Sequence, residues 1–122
     1  LKPEQLATSR SSSQQAEWIK EIHQQLTEHL DQRFTIEALA KQYLINASTL
    51  KEVFKAVYGL PIATYMKEYR MRRAMKLLRE TDASIADIAA QVGYETQVKF
   101  AQAFKDVVHA LPTEYRKQYV QR

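Results

Sequence analysis

The chain has 122 residues, of which 45% are hydrophobic and 26% charged, and its formal net charge of +4 suggests an anionic partner. This length allows one ordinary domain or two very small ones, and it excludes a large catalytic domain. The sequence contains no Cys, which excludes disulfides and thiolate metal sites, and it has neither a signal-peptide pattern nor an apolar run near the roughly 20 residues of a membrane span.

The first thirteen residues are polar and rich in Ser, and the first residue is Leu1 rather than Met. We expect a flexible linker or tail over residues 1–13, and we interpret the chain as a fragment of a longer protein. From about Gln14 to Leu30, apolar side chains recur at helical spacing, which predicts an amphipathic first helix. Its inward residues are Trp18, Ile19, Ile22, Leu26 and Leu30.

Two short helices with a tight connection are predicted next. Thr35 begins the first of them, whose inward residues are Ile36, Leu39, Ala40 and Tyr43. Asn46 is suited to cap the second and Gly59 to end it. The inward residues of this second helix are Leu50, Val53, Phe54 and Val57. Together these segments predict a first helix-turn-helix lobe over residues 14–60.

Residues 61–81 predict a long connecting helix, with Pro61 in its first turn. Its apolar residues form two stripes, which change sides near Arg70. The first stripe is Ile62, Tyr65, Met66 and Tyr69, and the second is Met71, Ala74, Met75 and Leu78. A helix with such a switched face serves two small cores, one at each end. Between Tyr58 and Thr81, six cations stand against two anions.

A second lobe is predicted over residues 82–122. Ser84 caps a helix with Ile85, Ile88, Ala89 and Val92 inward, and Gly93 stops it. Glu95 or Thr96 starts the next helix, with Phe100, Ala103, Phe104 and Val107 inward, and Pro112 opens a last short helix through Tyr115. No alternating strand pattern occurs, so we expect an all-α fold in which a long linker helix joins two helix-turn-helix lobes, about seven helices in total.

The two lobes are an internal repeat. Ile36, Leu39 and Ala40 recur 49 residues later as Ile85, Ile88 and Ala89. Leu50, Phe54, Lys55, Tyr58 and Tyr65 recur 50 residues later as Phe100, Phe104, Lys105, Val108 and Tyr115. One unit is therefore present twice. It consists of a short helix, a tight connection and a second helix with a polar outer side.

This layout favours DNA reading, because a helix fits the major groove and two on a rigid connector would enter successive grooves about 34 Å apart. Candidate base-reading residues are Ser48, Lys51 and Glu52 in the first lobe and Gln97, Val98, Lys99 and Gln102 in the second. Gln suits adenine, Lys guanine, Glu cytosine and the Val methyl groups thymine. Such residues on a lone helix are usually ordinary surface, but the repeat places two such faces equivalently.

Candidate phosphate contacts are Lys55, Arg72, Arg73, Thr96 and Arg116, each with an ordinary surface role as the alternative.

One combination of motifs points to a family. It consists of Ser84-Ile85-Ala86-Asp87-Ile88-Ala89, Val92-Gly93-Tyr94, Phe100-Ala101-Gln102-Ala103-Phe104-Lys105 and Pro112-Thr113-Glu114-Tyr115-Arg116. With these motifs the chain resembles the DNA-binding domain of the AraC/XylS family of bacterial transcription regulators, from about Phe34 to Tyr119. The resemblance implies a seven-helix, two-lobed domain that binds promoter DNA through both sets of candidate base-reading residues. It also implies a preceding effector-sensing or dimerisation domain and, for the full-length protein, RNA polymerase as a partner.

Three positions depart from the family pattern. Leu44 replaces the usual Gly of the first turn, Asn46 replaces a common Ser cap, and His109 replaces a Gly ahead of Pro112. A branched residue at positive φ is strained, so the turn at Leu44 is either differently shaped or costs stability. His109 raises the same question for the last turn. Glu52 places an acid on the first reading face, where it would repel phosphate.

Arg70 and Asp87 also fit the family pattern, and we expect a structural role for both. Asp87 lies near a helix start, where the dipole favours an acid, and Arg70 lies where the long helix changes faces. We predict that the two residues form an ion pair across the interface between the lobes.

No enzyme chemistry is evident in the sequence. His23, His29 and His109 lack metal-ligand spacing, and neither a phosphate-binding Gly loop nor a nucleophile pattern occurs. We therefore expect no metal, no cofactor and no membrane partner, and a cytoplasmic, nucleoid-associated protein. Double-stranded DNA is the expected partner, and we expect the fragment to be monomeric and the full-length protein to be able to dimerise.

The alternative function is a helical module whose basic central helix binds an acidic protein or a membrane surface.

Overall fold

The computed structural model describes the backbone of residues 3–120 and the side chains of residues 14–119. Within this part of the chain all regular structure is helical, which confirms the all-α prediction. The helices are α1 (Pro3–Glu28), α2 (Ile36–Gln42), α3 (Ala47–Tyr58), α4 (Ile62–Glu80), α5 (Ile85–Gln91), α6 (Gln97–Val108) and α7 (Pro112–Val120). None of the described helices is both long and apolar enough to cross a bilayer.

The helices group into two compact units. The first unit contains α1, α2, α3 and Ile62, and the second contains α4 from Ala63 onward, α5, α6 and α7. The segment His29–Arg33, which follows α1, belongs to the second unit rather than the first. The long helix is thus part of the second unit, whereas the sequence pattern predicts a separate connector over residues 61–81.

The first helix starts earlier than predicted. Its backbone is helical from Pro3, whereas the apolar periodicity predicts a start near Gln14 and a flexible linker before it. Pro is favoured at the first position of a helix, and neither Gly nor a second Pro interrupts the chain between Pro3 and Glu28. The Ser-rich segment has no apolar periodicity, so its helical conformation leaves no such signal in the sequence.

The core of the first unit contains most of the predicted inward residues of α1, α2 and α3: Trp18, Ile19, Ile22, Leu26, Leu39, Ala40, Leu50 and Phe54. Ile36, Tyr43 and Val53 are only partly buried, and Leu30 is buried but belongs to the second unit. Val57, predicted to point inward, is 55% exposed. Its neighbour Tyr58 covers this end of α3 instead, because the Tyr58 ring stacks on His23 at 4.4 Å and packs on Phe54 at 4.8 Å between ring centroids.

The second unit has its own core, formed by the second stripe of α4 and the inner sides of α5, α6 and α7. We call these residues the unit-2 core: Met71, Ala74, Leu78, Ile88, Ala89, Val92, Phe100, Ala103, Phe104 and Tyr115. Met75 and Val107, predicted inward, are partly buried and pack against it. The aromatic rings of this core are in contact, with 5.8 Å between the centroids of Phe100 and Phe104. This packing holds α6 by its apolar side.

The internal repeat is present in the backbone. The pair α2 and α3 has the same lengths as α5 and α6, 7 and 12 residues. Leu44 and Gly93 occupy the same place in the two turns, with φ of 57° and 86°, and each turn is closed by the same pattern of backbone hydrogen bonds. Gly59 and His109 likewise end α3 and α6 with φ of 87° and 67°. Leu44 and His109 therefore keep the left-handed conformation that glycine adopts at the equivalent position.

Candidate nucleic-acid interface

The outer side of α6 is a polar surface whose helix is capped at its start and anchored in a core on its opposite side. At its start, the Thr96 hydroxyl accepts a hydrogen bond from the backbone N–H of Lys99 at 3.1 Å. Behind it, Phe100 and Phe104 are fully buried in the unit-2 core. The candidate base-reading residues Gln97, Val98, Lys99 and Gln102 are all exposed. We call these four residues the α6 reading face.

The α6 reading face combines an apolar group with amides and a cation. Val98 is 67% exposed, which is unusual for a large apolar side chain and suits contact with a methyl group. Lys99 lies 3.6 Å from the Glu95 carboxylate, but both side chains are well exposed, so this pair is weak. The Lys99 ammonium is therefore able to exchange Glu95 for a stronger anion.

The first unit presents an equivalent surface on α3. Asn46 caps the helix by accepting a hydrogen bond from the backbone N–H of Thr49 at 2.8 Å, and Leu50 and Phe54 are fully buried beneath it. Three candidate readers and one candidate phosphate contact share its exposed side: Ser48, Lys51, Glu52 and Lys55. Two positions are equivalent in the two helices, because Ser48 and Glu52 lie on α3 where Val98 and Gln102 lie on α6. The positions equivalent to the other candidate readers, Lys51, Gln97 and Lys99, are Ala101, Ala47 and Thr49.

The turn that leads into α6 is held by two arginines. Arg70 donates hydrogen bonds from Nε to the carbonyl oxygen of Val92 at 3.0 Å and from Nη2 to those of Gln32 at 3.1 Å and Leu30 at 3.4 Å. Arg33 donates from Nε to the carbonyl oxygen of Gly93 at 2.8 Å. Three consecutive residues of the turn are engaged, because the Arg33 guanidinium also lies 4.7 Å from the centroid of the Tyr94 ring.

Gly93 cannot be replaced at this turn without disruption. Its φ is 86°, and a Cβ at this position would overlap the carbonyl oxygen of Leu30 and approach the Arg70 guanidinium at 3.1 Å. The segment His29–Arg33 therefore packs directly on the turn before α6, and Gly93 permits this approach.

The predicted ion pair between Arg70 and Asp87 is wrong. Arg70 is only 4% exposed, and its guanidinium donates hydrogen bonds to backbone carbonyl oxygens. The Asp87 side chain, in contrast, is exposed on α5. Burial, and secondarily the positive charge of Arg33, lower the pKa of Arg70 to about 10, so the side chain remains charged near neutral pH. A buried cation without a carboxylate partner is accommodated here by carbonyl dipoles.

The candidate phosphate contacts do not share one surface. Thr96 and Lys55 lie on the reading helices or at their caps, but Arg116 donates to the carbonyl oxygens of Leu78 at 3.1 Å and Thr81 at 3.2 Å. Arg116 therefore caps the end of α4, where helix carbonyls lack intrahelical partners. Arg72 and Arg73 lie on the outer side of α4, away from the unit-2 core that α6 packs against.

Two residues of this interface were missed by the sequence reasoning. Lys105 is exposed on α6 at the position that Lys55 occupies on α3, and the repeat itself was the signal that would have identified it. Arg33 supports the turn before α6, but its acceptor is a backbone oxygen 60 residues away in sequence, which leaves no pattern to find. Among the described residues, no group of three or more His, Asp or Glu is placed to bind a metal ion.

A sequence model of a known family, described as "Helix-turn-helix domain", matches residues 39–118. That range holds both turns and both candidate reading helices. The chain belongs to the AraC/XylS family of helix-turn-helix proteins. The HTH-type transcriptional activator RhaR of Mannheimia succiniciproducens is 29% identical over 104 residues, which is 85% of this chain and 38% of that protein. The chain thus spans well under half the length of this curated relative.

Solved structures of the AraC/XylS type have the same fold. The C-terminal domain of the two-component response regulator yesN from Fusobacterium nucleatum matches with a TM-score of 0.71 and 32% identity, covering 80% of this chain and 96% of that one. The DNA-binding domain of AdpA, a global transcriptional factor solved in complex with a target DNA, matches with a TM-score of 0.79 and 25% identity, covering 85% and 94%. These matches confirm the two-lobed AraC/XylS fold that the sequence resemblance implies.

Proposed function

We propose that this chain is the DNA-binding part of a transcription regulator and that it reads double-stranded DNA with the outer sides of α3 and α6. The observation that carries the proposal is the α6 reading face, a set of exposed amide, methyl and ammonium groups on a helix whose opposite side is fixed in a core. The AdpA domain, which has this fold, was solved bound to a target DNA. RhaR of Mannheimia succiniciproducens is a transcriptional activator by name.

The chemistry of each residue sets its role in the proposal. Gln97 and Gln102 would pair with adenine edges, Lys99 with guanine, and Val98 with a thymine methyl group. In the first unit, Ser48 and Lys51 would read bases, with Glu52 restricted to a cytosine amino group because an acid elsewhere on the duplex is repelled. Lys55, Lys105 and the Thr96 cap would contact phosphates beside the readers.

The internal repeat supports a geometric part of the proposal. Each of the two compact units carries one reading helix, α3 in the first and α6 in the second. One chain would thereby enter two successive major grooves of the same duplex, about 34 Å apart, without a second copy. We therefore propose that this chain acts as a monomer on DNA. In the full-length protein, a further effector-sensing or dimerisation domain and contact with RNA polymerase on the nucleoid would complete the function of a regulator.

The reading role of α6 is tested by removing its two amides. Gln97→Ala with Gln102→Ala should weaken binding to a selected duplex at least about thirtyfold, because the two lost bidentate contacts together cost about 2–6 kcal/mol. Binding to a random duplex should change little. The matched control is Gln14→Ala with Gln118→Ala, which removes two exposed amides from α1 and α7. Equal losses on both duplexes from the first pair would contradict the proposal.

A further inference from the structure

The outer side of α4 carries a second basic surface that the proposed reading function does not use. Arg72, Arg73 and Lys76 are exposed, and together with Tyr69 they line a shallow recess of about 230 Å³. The Arg72 guanidinium lies 5.7 Å from the centroid of the Tyr69 ring. We call these four residues the α4 recess. They lie within two turns of one helix, which makes the surface compact.

The α4 recess faces away from the unit-2 core. Met71, Ala74 and Leu78 on the inner side of α4 are fully buried in that core. At about 100° per residue, the recess residues lie roughly half a turn from them. The helix α6 buries Phe100 and Phe104 in the same core and exposes Val98 and Gln102 on its far side. The unit-2 core therefore lies between the α4 recess and the α6 reading face.

The charges of the α4 recess are free to meet an anionic partner. The ion pairs among the described residues join Lys67 to Asp106 and Lys99 to Glu95, and neither involves the recess. Two guanidinium groups and one ammonium group within two turns favour carboxylates, which Arg binds in a bidentate manner. The half-buried Tyr69 ring, which also contacts Tyr65 and Arg72, forms the apolar end of the recess and suits an apolar side chain next to those carboxylates.

From this arrangement we infer that the α4 recess is a docking surface for an acidic protein segment, one with several Asp or Glu residues and an apolar residue among them. Protein fits better than a second nucleic acid because the first and last of the three cations are only four residues apart on one helix, about 6 Å, which is short for a surface that follows the phosphate backbone of a duplex. Binding there is compatible with simultaneous binding of duplex at α6, so the surface would bring an acidic protein to a DNA-bound chain.

The probe for this surface is a fluorescent peptide of twelve residues composed of Asp and Glu with one central Leu. Its control is the peptide with the same length in which every carboxylate is an amide. Anisotropy titrations are run on the free chain and on the chain saturated with a selected duplex. We expect the acidic peptide to bind with similar affinity in both states and the amide peptide not to bind. Because peptide binding is measured without DNA as well, failure of the reading function would not hide the result.

The test variant is Arg72→Ala with Arg73→Ala and Lys76→Ala, and its matched control is Lys20→Ala with Lys41→Ala and Lys117→Ala. All six residues are exposed, and both variants lose the same charge. We expect the test variant to bind the acidic peptide roughly tenfold more weakly than the control does, since each exposed ion pair contributes up to a few-fold. Equal peptide binding by both variants would overturn the inference. So would a second duplex bound per chain that is lost only in the test variant, because the surface would then be one for nucleic acid.

Discussion

The Arg70 guanidinium and the Val92 carbonyl oxygen are joined by a buried hydrogen bond of 3.0 Å, which ties the middle of α4 to the turn before the α6 reading face. The same side chain holds the carbonyl oxygens of Leu30 and Gln32, so one cation connects three separate stretches of the second unit. Since Arg33 secures Gly93 in the same way, the start of α6 is positioned by backbone contacts rather than by its own apolar residues alone.

Replacing Arg70 should be costly. Arg70→Met leaves buried carbonyl oxygens without donors, and we expect the free energy of unfolding to fall by about 2–4 kcal/mol. Arg70→Lys should recover part of this loss, because an ammonium reaches some but not all of the acceptors. Urea unfolding measures both, with exposed Arg73→Met as the control variant. A change below about 0.5 kcal/mol for Arg70→Met would show that these contacts contribute little.

Leu44 offers a stabilising substitution. Its side chain is 92% exposed, so burial of Leu44 contributes little to the free energy of unfolding. Its φ is 57°, so the left-handed backbone strain at Leu44 lowers that free energy. Leu44→Gly should raise the free energy of unfolding by about 1 kcal/mol, the relief of strain less the entropy cost of Gly. Leu44→Ala keeps the Cβ and should give no such gain. If Ala stabilised the chain as much as Gly, the effect would lie in the lost leucine and not in φ.

Substitution of Arg116 distinguishes its role as a helix cap from the predicted role as a phosphate contact. Its guanidinium donates to the carbonyl oxygens of Leu78 and Thr81 at the end of α4. We expect Arg116→Met to lower the free energy of unfolding by about 1–2 kcal/mol and to leave the salt dependence of duplex binding unchanged. The neighbouring exposed Lys117→Met serves as a control for the loss of one charge. A reduced salt slope in Arg116→Met with unchanged stability would restore the predicted phosphate contact.

His23 should make stability sensitive to acid. Burial against the first-unit core lowers the pKa of His23 below its ordinary 6.5. The folded state then binds this proton less readily than the unfolded chain does. The contribution of neutral His23 to the free energy of unfolding is therefore complete above pH 6.5 and is lost as the pH falls below it. Unfolding by urea at pH 7.5 and 5.0 should show a smaller pH effect in His23→Phe, which keeps a ring to stack on Tyr58. Exposed His29→Asn is the control; an unaltered pH dependence in His23→Phe would assign the effect to other groups.

The repeat made most of the fold predictable. Apolar periodicity placed α2, α3, α5 and α6, because each of these helices buries one side and exposes the other. Gly93 and the family pattern located the turns, and the exposed reading residues followed once Phe100 and Phe104 were assigned to the core. What the periodicity could not show was the early start of α1, whose Ser-rich part has no apolar stripe.

The hydrogen-bond acceptors of the arginine side chains were not predictable from residue type. Arg70, Arg33 and Arg116 all donate to backbone carbonyl oxygens, and every residue carries such an acceptor, so no side-chain pattern marks the partner. Charge reasoning paired Arg70 with Asp87 and assigned Arg116 to phosphate for that reason. Which cations remain available to an external anion became apparent only from the packing.

Selection of bound sites from a random duplex library tests the central claim most directly. For the wild-type chain, we expect two enriched blocks of bases whose centres are one helical turn apart, about 10 base pairs. For Gln97→Ala with Gln102→Ala, we expect one block to lose its sequence preference while the other is retained. A single block in the wild-type selection, or two blocks that both survive the double substitution, would contradict the claim that α3 and α6 each read one groove.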